Sequence, residues 1–138
     1  MIIIEGRIVT GMGCARYNLK FQMPFFIEVF PEIKDCYLGS INVELGKPLK
    51  IFNPDFETNS IKWSPDDKNF EEKFSFTRIK FEIEEQLVDA WIYGPHKSPH
   101  RVNPFYIEII APEIKLGNNK LCRIHLDKNY SESPFIII

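Results

Sequence analysis

Apolar residues recur along this chain chiefly at every second position, the spacing of strands half-buried in a sheet. Ile41, Val43 and Leu45 alternate with Asn42 and Glu44 within residues 37–45. Residues 2–10, 87–93, 105–111 and 121–126 are rich in β-branched and aromatic side chains and end at glycine, proline or polar turns. Residues 49–52 read as a further short strand. Within 74–83 the pattern slips by one position, from Phe74 and Phe76 to Ile79, Phe81 and Ile83, which suggests a bulge. Residues 18–30 are apolar and aromatic, broken by Pro24 and closed by Pro31; they read as a short strand, and residues 31–34 as a turn or helical stub. No segment keeps a helical period for three turns. The pattern predicts an all-β protein, a barrel or sandwich of six or more strands.

Composition narrows the class. At 138 residues the chain is long enough for one domain, residues 1–138, with a proper core, and twelve Phe supply large rings for it. The net charge of −2 and the lack of any long basic block speak against a nucleic-acid partner. Cys14, Cys36 and Cys122 are odd in number and far apart, which fits neither a disulfide framework nor a zinc site and suits a reducing cytoplasm. The start Met1-Ile-Ile-Ile-Glu lacks the basic region of a signal peptide, and no apolar run reaches transmembrane length. The expectation is a cytoplasmic domain with no membrane partner. The tail ending Phe135-Ile-Ile-Ile is apolar enough to pair with a sheet edge or with a second copy of the chain.

Three places break the pattern. After the first strand comes Gly11-Met12-Gly13-Cys14-Ala15-Arg16, where glycines let an anion approach the backbone and Arg16 adds a cation suited to phosphate. A tight turn is the plainer alternative. At Gly39-Ser40-Ile41-Asn42 a hydroxyl and an amide share one face, oxygen donors of the kind that suit Mg²⁺; a turn serine and an outward asparagine would look the same. Glu108 stands in the apolar run Tyr106-Ile-Glu-Ile-Ile-Ala-Pro112. On the solvent face it is ordinary; lining a cavity, it would suit a general base. His96 and His100 are four apart, but Pro95 and Pro99 forbid the helix that would pair them on a metal.

Taken together and in order, the three places resemble the archaeal-type CTP-dependent riboflavin kinases. Ile3 to Tyr17 is similar to that family's opening strand and glycine loop, Tyr37 to Leu45 to its glycine-Thr-Leu-Asn strand, and Tyr106 to Pro112 to its Glu-Ile-Ile-Ala-Pro segment. The resemblance implies a compact six-stranded cradle-loop β-barrel with short or no helices. It implies transfer of the CTP γ-phosphate to the riboflavin 5′-hydroxyl, giving FMN. Gly11, Met12, Gly13, Cys14, Ala15 and Arg16 would then form the nucleotide loop, Ser40 and Asn42 would hold Mg²⁺, and Glu108 would be the base. Lys97 and His100 would border the flavin. Ala15 stands where the family has glycine, Ser40 where it has threonine, and the segments 21–35 and 117–120 are shorter than in the family. The alternative is a barrel that binds a nucleotide or flavin without turning it over. No residue reads a cytosine edge recognisably, so CTP and ATP stay open as donors.

Overall fold

The computed structural model describes residues 1–9, 15–117, 120–132 and 134–138, with backbone alone for 15, 16, 99 and 100. The elements are β1 (Ile2–Val9), α1 (Ala15–Val29), β2 (Ile41–Leu45), β3 (Leu49–Lys50), β4 (Phe56–Glu57), β5 (Phe74–Ile83), β6 (Gln86–Pro95), β7 (Tyr106–Ile110), β8 (Leu121–Leu126), β9 (Ser131–Glu132) and β10 (Ile136–Ile137). Short 3-10 turns lie at Pro31–Ile33 and Pro99–Val102. Six strands follow one another antiparallel in the order β5-β6-β7-β2-β1-β8, and β8 pairs back onto β5. The sheet therefore closes into a six-stranded barrel, one of the two architectures that the strand pattern allows and the one that the resemblance implies, with β4 added beside β5.

Closure divides every strand into an inner and an outer face. Ile4, Val43, Ile79, Phe81, Ile92, Ile109, Ile124 and Leu126 point inward and are almost wholly buried. The walls come close where the barrel curves. A Cβ on Gly6 would lie 2.6 Å from Val43 Cγ1 and 3.1 Å from the Glu44 carbonyl, so a side chain there would push β1 off β2.

Residues 18–30 form no strand. They lie in α1, whose inward side carries Leu19, Gln22, Met23 and Phe26, with Phe30 just beyond its end. These positions follow the i, i+3, i+4, i+7 spacing of a helix face. Tyr17, Phe25 and Val29 on the other side are apolar yet exposed, which hides the period from the sequence. Burying Leu19, Met23, Phe26 and Phe30 contributes about 1.5–3 kcal/mol each, enough to offset the roughly 3 kcal/mol that Pro24 costs inside a helix. The helix packs on the outside of the barrel, against Phe74, Phe76, Trp91, Tyr93 and Ile110. Phe26 sits edge-on to Phe74 and Phe76 at 4.8 and 5.0 Å between ring centres.

This second core also explains the slipped pattern of β5. Pairing with β6 runs one-to-one from Phe74–Pro95 to Ile83–Gln86, so no bulge interrupts it. Phe74 and Phe76 face outward under α1, whereas Thr77, Ile79, Phe81 and Ile83 face the barrel interior. The strand is buried on one face along one half and on both faces along the other.

The apolar tail is used within the chain. β10 lies between β3, to which it is parallel, and β9, to which it is antiparallel. Both its edges are occupied, and Ile136 and Ile138 join the barrel core. β3 and β9 form the two edges of this small sheet. Among the described residues, no helix is long and apolar enough to cross a membrane.

Candidate functional site

One row of cross-strand partners crosses the barrel wall: Phe76, Tyr93, Glu108, Asn42 and Val9. Ile107 and Ile109 of β7 face inward, so Tyr106 and Glu108 face outward by the period of two. The same alternation on β2 puts Val43 and Leu45 inside and Asn42 outside, with Ser40 just before the strand on the same side. Two of the three sequence motifs, far apart along the chain, thus meet on one outer surface.

Hydrogen bonds join them. The Ser40 hydroxyl donates to Glu108 Oε1 at 3.2 Å. The Tyr106 hydroxyl donates to Asn42 Oδ1 at 2.5 Å. Ser40, Asn42, Tyr106 and Glu108 are all half-buried, so Glu108 occupies neither the open solvent face nor the barrel interior. Burial, together with the nearby Glu108 charge, raises the Tyr106 hydroxyl above the usual phenol range, which keeps it a donor. On the other side, Tyr93 is buried and donates to the Gln22 side-chain oxygen of α1. Burial first, then the charges of Glu108 and Glu72, push the Tyr93 hydroxyl well above its ordinary value, against a smaller lowering by Gln22.

The strand that leads into the first motif reaches the same place. Val9, the last residue of β1, pairs with Asn42, and the chain resumes at Ala15 as the start of α1. Gly11, Met12, Gly13 and Cys14 lie outside the described residues, and Ala15 and Arg16 are placed only as the first residues of α1. A Cβ on Gly39 would lie 3.1 Å from the ring of Tyr37, an exposed side chain with room to shift.

The donor set is Ser40 Oγ, Asn42 Oδ1 and the Glu108 carboxylate. These are hard oxygens with one negative charge, which fits Mg²⁺, an ion that keeps several of its waters. Ser40 gives its proton to Glu108 and Asn42 Oδ1 accepts from Tyr106, so each oxygen still has a lone pair to offer. Among the described residues, no group of three or more His, Cys, Asp or Glu side chains stands together in a way that could hold a metal.

The loop after β6 carries Lys97 and His100. The Lys97 ammonium lies over the Phe70 ring, 4.9 Å from its centre, and the Lys97 backbone N–H donates to Glu72 Oε2 at 2.7 Å. Glu72 is 4% exposed and also accepts from Trp63 Nε1 at 3.2 Å, so this carboxylate ties the loop to the preceding segment. His100 is placed only by backbone, in the turn Pro99–Val102. Beside it along the chain, His96 Nε2 lies 2.6 Å from Ser75 Oγ. Glu57 approaches that same ring nitrogen at 3.8 Å. Hydrolytic triads place the carboxylate on the other nitrogen, so this contact does not reproduce one.

Sequence reasoning missed Tyr93, Tyr106, Gln22 and Glu72. Tyr106 was within reach of the period of two, standing two residues before Glu108 on one face. Gln22 and Glu72 gave no local signal, because each is defined by a partner distant in sequence. No protein-family model matches this chain.

Proposed function

We propose that this chain is a Mg²⁺-dependent phosphotransferase that moves the γ-phosphate of CTP to the 5′-hydroxyl of riboflavin, giving FMN. The observation that carries the reading is the Ser40–Glu108 hydrogen bond, which joins two motifs 68 residues apart with Asn42 as the direct partner of Glu108. The resemblance of those motifs to CTP-dependent riboflavin kinases supplies the substrates. Val9, the end of β1, lies beside Asn42 and precedes Gly11 by two residues in the sequence.

Phosphoryl transfer needs positioning and charge stabilisation more than covalent chemistry. Ser40, Asn42 and the near oxygen of Glu108 would hold Mg²⁺, which when bound supplies positive charge to the transferring phosphoryl group. Glu108 takes the proton of the riboflavin 5′-hydroxyl as that oxygen bonds to the γ-phosphorus, and CDP leaves with the electrons of the broken P–O bond. Tyr93, buried and protonated beside Glu108, shields one side of the carboxylate from water.

The test is FMN formation from riboflavin with CTP, and separately with ATP, in the presence of Mg²⁺. FMN with CTP supports the reading, and FMN with ATP alone corrects the donor. Folded protein that makes no FMN with either nucleotide overturns it, and if that protein still binds riboflavin or nucleotide, the barrel is a binding module.

A further inference from the structure

We propose that Tyr106 is a positioning residue that fixes which end of the Asn42 amide the site presents to a cation. The inference rests on the metal-dependent reading above and adds a residue to it. An asparagine amide has an oxygen that can ligate a cation and an NH₂ of almost the same shape that cannot. Its terminal torsion is broad, so an unheld amide samples both orientations. Tyr106 removes that freedom. Its register partner is Glu44, while Asn42 is opposite Glu108, so the tyrosine reaches diagonally across the β2–β7 pair to Asn42. The 2.5 Å contact from its hydroxyl fixes Oδ1 by one lone pair and leaves the other for a ligand.

A phenylalanine at 106 keeps the ring and loses only the donor. That isolates the hydroxyl from the packing of the ring. A carboxylate at position 42 gives a second separation. Its two oxygens are equivalent, so it ligates whichever way it turns and needs no orienting partner.

The experiment uses Mn²⁺ as a paramagnetic stand-in for Mg²⁺, since both take carboxylate, carbonyl and water oxygens. Broadening of backbone amide NMR signals in β2 and β7 is followed as Mn²⁺ is added to wild type, Tyr106→Phe, Asn42→Asp and the double variant. Tyr106→Phe should raise the Mn²⁺ dissociation constant roughly 3- to 10-fold, the worth of one neutral hydrogen bond. In the Asn42→Asp background the same change should have no further effect. Equal losses in both backgrounds overturn the proposal, because the tyrosine then acts through the fold and not through the amide. No loss in either background overturns it as well. Absence of broadening in the wild type strikes the metal site itself, and so the phosphotransfer reading along with Tyr106.

Discussion

Asn42 on β2 and Glu108 on β7 are direct cross-strand partners on the outer face of the barrel wall. The position is unusual for a carboxylate in an apolar strand. Glu108 is half-buried because α1 and the flanking tyrosines cover the wall beside it, and it holds a hydrogen bond from Ser40. On the proposed phosphotransfer reading, Glu108 is the base that takes the hydroxyl proton. Glu108→Gln keeps the shape and the contact with Ser40 but cannot take a proton. Turnover to FMN should fall by about 10²- to 10⁴-fold, while nucleotide affinity measured by calorimetry without Mg²⁺ stays the same. Unchanged turnover assigns Glu108 a surface role only.

The Tyr93–Gln22 hydrogen bond is a polar contact within the aromatic interface of helix and barrel, and Gln22 is only 1% exposed. Tyr93→Phe leaves the Gln22 oxygen buried without its donor, which costs about 1–3 kcal/mol. Adding Gln22→Leu removes the orphaned group and should recover most of the loss. Urea midpoints of the two single variants and the double variant check this. If the double is as unstable as the sum of the singles, the bond contributes nothing of its own.

His96 should make stability fall on mild acidification. Burial, then the Arg101 charge and more weakly that of Lys73, lower its folded pKa, with Glu57 opposing them. The unfolded chain therefore binds the proton more readily than the folded one. Stability is fully present above the unfolded value of about 6.5 and is lost as pH falls from there toward the folded value. His96→Gln should flatten that part of the stability profile between pH 7 and 5. A wild-type profile that is already flat there, or one that His96→Gln leaves unchanged, refutes the assignment.

Glu84 makes the turn between β5 and β6 with φ of 54°, in the left-handed region. That conformation costs a side-chain-bearing residue about 1–2 kcal/mol, whereas glycine adds roughly 0.4–1 kcal/mol of unfolded-state entropy. Glu84→Gly should therefore stabilise the protein by up to about 1 kcal/mol, and Glu84→Ala should not. Thermal midpoints of the two variants decide it.

Particular residues show how far local pattern reaches. Ile41, Val43 and Leu45 announced β2 because one face of it meets the barrel core and the other does not. Residues 121–126 were legible to the residue for the same reason. Helix α1 was not, because Tyr17, Phe25 and Val29 are apolar on its exposed side and Pro24 sits in its interior. Of the candidate site, Ser40, Asn42 and Glu108 were legible as residues that break an apolar pattern. Tyr93, Gln22 and Glu72 were not, since each owes its place to a partner brought in by the fold.

The sequence by itself determined the strands of the barrel and the inward set of side chains, because alternation is a property of consecutive residues and closing the sheet buries one face. The second buried face of β5, the seat of α1 on Phe74 and Phe76, and the return of the C-terminal strand to β3 were decided only by tertiary packing. The meeting of Ser40 and Asn42 with Glu108 belongs with these. Barrel closure puts β2 beside β7, and no local pattern states which strands become neighbours.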